Sequence, residues 1–118
     1  MKQNDPEPQR IYHIADPAGW RNSAEGGMYS VPSLQSEGFI HCSFAHQVQR
    51  SLDKFFSDAD AVVILEIDPA LLQSELRFEP ADNDTFPHVY GEINVDSVVV
   101  AAHVARDDKG ALTFAGRQ

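Results

Sequence analysis

Three histidines sit in short apolar runs far apart in the chain. They are His13 in Ile11-Tyr12-His13-Ile14, His41 in Gly38-Phe39-Ile40-His41-Cys42-Ser43, and His88 in Phe86-Pro87-His88-Val89-Tyr90-Gly91. An imidazole among apolar neighbours is costly unless it finds a hydrogen-bonding partner. Three of them, each in a segment that reads as a strand or a tight turn, point to one polar cleft built from distant segments. Such rings can bond a ligand's hydroxyl or phosphate, or activate a neighbouring hydroxyl.

His41 and Ser43 are two residues apart in an extended stretch. Phe39, His41 and Ser43 therefore share one face, and Ile40 and Cys42 the other. The His and Ser can hold a hydroxyl- or phosphate-bearing ligand together, or His41 can activate Ser43. Equally, Ser43 can cap the helix that follows, whose N-terminus is itself an anion site. His13 is either a core ring bonded to a backbone carbonyl or a ligand contact. His88, between Pro87 and Tyr90-Gly91, is either held in place by a stiffened loop or incidental to a surface turn. His46 is expected to face solvent, and His103 to lie in a core or edge strand.

Glu79 and Glu92 flank the expected cleft and are the general-base candidates, with a solvated surface as their alternative. Glu66, inside Ala61–Ile67 (AVVILEI), faces solvent at a strand end or pairs with an arginine. Cys42 reads as an inert buried thiol. Three histidines could ligate zinc, but there is no H-x-H, HExxH or Cys-rich spacing, so no metal is expected. A Gly-rich phosphate loop, a GxSxG elbow and a Rossmann fingerprint are all missing.

The elements that must position these residues are short. A strand is expected over Arg10–Ala15, then a helix from Asp16-Pro17 to about Ala24, stopped by Gly26-Gly27 and packed through Trp20. A short strand over Tyr29–Val31 and a helical turn over Ser33–Glu37 follow, and then a strand over Phe39–Ser43. The main helix starts at Ser43 or Phe44 and runs to about Ser57, with Val48, Leu52, Phe55 and Phe56 as its apolar stripe. Ala61–Ile67 suits a central strand. Asp68–Leu72 reads as a helical turn, Leu76–Glu79 as a strand, and Pro80–Thr85 as an acidic loop. Ile93–Val95 and Val98–Val104 are strands, and Asp107–Gly110 is a hairpin turn into Ala111–Phe114. The sum is a small α+β domain of short strands around one substantial helix.

The 118 residues suit one domain with one core, taken as 10–118 behind a flexible tail over 1–9. Hydrophobic residues make up 42% and charged residues 23%, ordinary for a globular protein. Nine Lys and Arg against eighteen Asp and Glu give a formal charge of -9. That balance opposes binding to nucleic acid and to anionic membranes. A local cationic pocket could still use Arg10, Arg21 or Arg77. A membrane helix needs roughly 20 apolar residues, and no stretch approaches that. The single cysteine excludes an intramolecular disulfide, so a reducing cytoplasm is expected, with the chain as a monomer.

The order Ile11-Tyr12-His13, Trp20, Tyr29, Pro32-Ser33-Leu34, Glu37 to Ser43, Leu65 to Asp68, Leu76 to Glu79 and Phe86 to Gly91 resembles a bacterial family of small domains of unknown function. That family is grouped by fold with the ADP-ribosyltransferases, and the likeness spans roughly Arg10 to Val104. The resemblance implies an ADP-ribosyltransferase-like fold with NAD as substrate. It gives His13 the place of the strand-borne histidine that contacts an NAD ribose. Tyr29 or Ser33 takes the second position. Glu92, just after His88-Val89-Tyr90-Gly91, is nearest to the third, a catalytic Glu. The family's residue there looks more like Pro, which leaves His41 and His88 to stabilise an oxocarbenium-like sugar or its phosphate.

The expected site therefore has His41, His88 and Glu92 as catalytic residues and His13, Tyr29, Ser33, Ser43 and Tyr90 as ligand contacts. It would bind NAD or ADP-ribose and carry out transfer or hydrolysis. The alternatives are a non-catalytic module for a small metabolite, and a protein-interaction domain whose histidines are structural.

Overall fold

The structure, a computed structural model, describes residues 9–115. The tail expected over 1–9 lies, apart from Gln9, outside the described residues. The run Ala61–Ile67 forms β4, the middle strand of a three-stranded antiparallel sheet. Its neighbours are β1 (Ile11–Ala15) and β8 (Val98–Ala105). Both faces of β4 are covered, which is why its sequence is nearly continuous in apolar residues. One face sets Ile11, Val63, Leu65 and Ile67 against Tyr29, Ile40, Val89 and Ile93. The other sets Tyr12, Ile14, Val62 and Ile64 against Val48, Leu52 and Leu112. Glu66 is buried in this strand and pairs with Arg10 at 3.4 Å.

Helix α1 (Pro17–Gly26) starts where the Asp16 carboxylate accepts the Gly19 N–H at 2.9 Å, with Pro17 in the first turn. Trp20 packs on the first core as expected. The next strand, β2, is shorter than expected, covering Met28–Tyr29 and pairing with β7 (Ile93–Asn94). Helix α2 (Pro32–Glu37) leads through Gly38 into β3 (Ile40–His41). The third sheet runs β3, β6 (Asp84–Tyr90), β5 (Glu75–Ala81), all antiparallel.

Four further expectations change. The main helix, α3, covers only Val48–Phe55, after a tight 3-10 turn over Ala45–Gln47. Gln47 is buried and turns back to accept the Phe44 N–H at 2.9 Å, while its amide donates to Asp84 and Thr85. That side chain, not Ser43, closes the helix start. Phe55 leaves the apolar stripe and stands 63% exposed. Pro80–Thr85 is not a loop: Asp82 (φ 52°) and Asn83 (φ 62°) form a two-residue turn that extends β5 and β6 into one long hairpin. Two successive positive φ values are the type I′ geometry, which Asn and Asp tolerate. Ala111–Phe114 forms no strand. Gln49 on α3 donates to the Leu112 carbonyl and accepts the Phe114 N–H, bonds that a partner strand would otherwise make.

Gly91 ends β6 at φ 153°, and a Cβ there would stand 2.9 Å from Ser74 Cβ and closer still to Ser74 Oγ. Gly91→Ala is expected to destabilise the protein by about 2 kcal/mol, read as a lower urea midpoint with an unchanged slope.

Candidate functional site

The three histidine motifs meet. β1 and the end of β3 are bridged by Tyr12 and Ser43, whose N–H and carbonyl groups exchange bonds at 2.8 and 2.7 Å. β3 pairs with β6 so that His41 lies directly opposite His88. The period of two then sets Phe39 and His41 on one face with His88 and Tyr90, while Ile40 and Val89 fill the core behind. A cavity of about 680 Å³ opens over these elements, with His13, Tyr29, Ser33, His41, Ser43 and His88 all in its wall. α3 contributes Ser51 and Phe55, the position just past its end contributes Phe56, and the tip of the β5–β6 hairpin contributes Asp82.

His13 is the most constrained of the three. It is buried, with Nδ1 2.7 Å from the His41 carbonyl and Nε2 2.8 Å from the Tyr29 hydroxyl. A carbonyl only accepts, so Nδ1 carries the hydrogen and Nε2 accepts from Tyr29. Burial pushes the His13 pKa down to about 4 and pushes that of Tyr29 up. The pair is therefore neutral and closed on itself, and His13 keeps no nitrogen for a ligand. Its work is to fix the β3 backbone and the Tyr29 ring. Tyr29→Phe leaves buried Nε2 unsatisfied, and about 1–3 kcal/mol of stability should be lost in denaturant unfolding.

His88 is arranged differently. Its ring is buried and stacks on Phe39 at 4.1 Å between centroids. Its Nδ1 is 2.7 Å from Glu79 Oε1, the oxygen that also accepts the Tyr90 hydroxyl at 2.6 Å. Bonds from Tyr90 and then His88 hold the Glu79 carboxyl below its ordinary range, and the same contact raises Tyr90. Arg77 lies over the Tyr90 ring at 4.3 Å and is forked onto Glu75 at 2.9 and 3.1 Å. With Nδ1 committed to a carboxylate, Nε2 is the ring's free nitrogen, without a partner among the described residues.

His41 is exposed, and its Nε2 is 3.1 Å from the Glu37 carboxylate one helical turn upstream. Its ring centroid is 5.5 Å from that of His88. Ser43 is buried, 3.4 Å from the Ser51 hydroxyl. Ser33 donates to the Phe39 carbonyl. Cys42 is buried with its thiol pushed up to about 12, the inert state expected of it. Tyr90 stands behind the cavity wall as a partner of Glu79. Glu92 is exposed and is not among the residues that line the cavity. Glu79 does not line the cavity either; of the two it is the one that reaches the site, through its bond to His88 Nδ1.

Among the described residues, no lysine or arginine lines the cavity. Arg10 and Arg77 are paired with Glu66 and Glu75, and Arg21 is exposed on α1. The cations at the mouth are instead on α3. Lys54 holds Asp82 at 3.0 Å and lies over Phe55, and Arg50 lies over Phe86 and holds Asp84 at 3.4 Å. No cluster of three or more metal-binding side chains exists among the described residues. Nor is any helix among them long and apolar enough to cross a membrane. His46 is exposed and stacks on Phe44, and His103 is exposed on edge strand β8.

Fold and site together define a small mixed α+β domain of three antiparallel sheets with a histidine-lined cavity where they join. The chain belongs to the DUF952 family of proteins of unknown function, whose model matches residues 14–101. No curated protein matches it. Among solved structures it is similar to protein CC0527 from Caulobacter crescentus. The crystal structure of that protein is 28% identical, covers 88% of this chain and 93% of its own, and has a TM-score of 0.77. A double mutant of the same protein is 27% identical with a TM-score of 0.77 and the same coverage. The solution NMR structure is 28% identical, with coverages of 86% and 89% and a TM-score of 0.73.

Proposed function

We propose that the cavity binds a nucleotide sugar, with the ADP-ribose portion of NAD as the ligand, on a fold of the ADP-ribosyltransferase type. The observation that carries this reading is the cavity itself. Its volume of about 680 Å³ sits within the range of small-ligand sites, roughly 300–1,000 Å³, and a few polar groups stand on largely apolar walls. His41, Ser43 and His88 would meet sugar hydroxyls. The phosphates would lie at the mouth against Arg50 and Lys54, displacing Asp84 and Asp82. Transfer or hydrolysis of the sugar is the chemistry such a site would serve.

A second reading is a binding module for an uncharged metabolite. It is favoured by a wall that holds no lysine or arginine among the described residues and by the chain's formal charge of -9. Calorimetric titration with NAD, ADP-ribose and adenosine separates the two. The first reading expects ADP-ribose to bind more tightly than adenosine, with an affinity that falls as salt rises and falls again in Arg50→Ala. Equal affinity for adenosine supports the second. Binding of none of the three removes the nucleotide-sugar reading.

A further inference from the structure

We propose that Glu79 and His88 form a proton-accepting dyad, with His88 Nε2 as the general base for a hydroxyl or water held in the cavity. The proposal rests on the reading of the cavity as a nucleotide-sugar site and adds the group that would activate the acceptor. Three features support it. Glu79 Oε1 fixes Nδ1 as the protonated nitrogen, since a carboxylate only accepts, so a neutral ring carries its lone pair on Nε2. The imidazole is buried in the cavity wall, stacked on Phe39 and unable to swing away. Tyr90 donates to the same Oε1, a second bond that keeps that oxygen in place against Nδ1.

The arrangement differs from each of the other histidines. His13 has both nitrogens closed, and His41 is exposed, with its Nε2 already bonded to the Glu37 carboxylate. Only His88, among the three in the cavity wall, combines burial, a carboxylate on Nδ1 and a free Nε2. In the step this serves, the O–H bond of the acceptor breaks and its proton forms an N–H bond at His88 Nε2. The oxygen's electron pair forms the bond to the anomeric carbon of the sugar. The bond from that carbon to the leaving base breaks, and its electrons go to the base's ring nitrogen. The resulting imidazolium is stabilised by Glu79 and later gives its proton to solvent. His88 is the catalytic residue, and Glu79 and Tyr90 are positioning residues.

Two measurements on the full chain test this without a known substrate. Long-range proton–nitrogen NMR of the imidazoles reads the tautomer directly, and His88 is expected to be protonated at Nδ1 and bare at Nε2. Diethyl pyrocarbonate then reports nucleophilicity. The lone pair of Nε2 attacks its carbonyl carbon, ethyl carbonate leaves, and the ring sheds its Nδ1 proton. Despite its burial, His88 should react at least as fast as exposed His46 and His103, followed residue by residue by mass spectrometry. Glu79→Gln should slow His88 alone by about tenfold, because a neutral amide polarises the ring less and can donate to Nδ1. A purely structural Glu79 would fix the same tautomer and lower the thermal midpoint when replaced, but would leave the rate of His88 relative to His46 and His103 unchanged.

An Nε2-protonated tautomer in the wild-type protein, or a His88 that stays unmodified while His46 and His103 react, overturns the dyad even if ADP-ribose binds. A reactive His88 of the expected tautomer in a protein that binds no nucleotide sugar sustains the dyad and removes the ligand reading instead.

Discussion

Acidification from pH 6.5 to pH 4 is expected to remove about 3 kcal/mol of folding stability through His13 alone. The unfolded ring titrates at its ordinary value of 6.5, and burial lowers the folded ring to about 4. Between those values the unfolded chain binds the extra proton, so stability falls with every step downward in pH. Above 6.5 the His13 contribution is fully present, and below about 4 no more of it is lost. The physical event is the loss of the Nε2 acceptor. A proton placed there confronts the Tyr29 hydroxyl, which now donates to it, and sets a charge where both nitrogens are walled off from water. Urea midpoints measured across this range should show the slope in the wild type and lose it in His13→Gln. Carboxylates with lowered values, such as Asp84 and Asp107, are common to both proteins and cancel in the difference. Parallel curves for the two proteins would show that His13 is not the neutral, closed ring described above.

His41→Ala is expected to weaken ADP-ribose binding about tenfold, or 1.4 kcal/mol, while leaving the thermal midpoint nearly unchanged. His41 supports this separation because its side chain is 55% exposed and the carboxylate it bonds, Glu37, is 49% exposed. An exposed pair of that kind adds little to stability. His88→Ala should do more. It removes the second wall histidine and strands Glu79 and Tyr90 beside a void, so binding should become unmeasurable and the thermal midpoint should fall as well. Calorimetry and thermal melts on the two variants check both statements. A His41→Ala protein that melts early but binds normally would make His41 a structural residue and leave the cavity without its outer contact.

The sequence carried the site better than it carried the roles within it. The apolar runs around His13, His41 and His88 and the period of two through Phe39–Ser43 foretold both the meeting of the motifs and the shared face of His41 and Ser43. What separates His13 from His88 is invisible in those patterns. It depends on Tyr29 reaching back to one ring and on Glu79 reaching the other, contacts 16 and 9 residues apart in the chain. The second was hidden behind Asp82-Asn83. Read as a two-residue turn of positive φ, that pair sets Arg77 opposite His88 and Glu79 opposite Phe86, making Glu79 and His88 diagonal neighbours. Read as part of an acidic loop, it left Glu79 and Glu92 equal candidates. The short α3 has a similar cause. Gln47 and Gln49 spend their amides on backbone groups of other segments, which no helical periodicity encodes. The cations of the mouth, Arg50 and Lys54, were masked because their helix reads from sequence as an ordinary solvated face.

The most direct measurement is a titration of the labelled protein with NAD and ADP-ribose while following all five histidine rings by NMR. Ligand in the cavity should move the ring signals of His41 and His88 together, at one saturating concentration. Those of His46 and His103, which lie outside the cavity, should stay in place, and His13 should shift little because both of its nitrogens are already taken. Shifts confined to His46 or His103, or no shift at millimolar ligand, would contradict a nucleotide-sugar site between β1, β3 and β6.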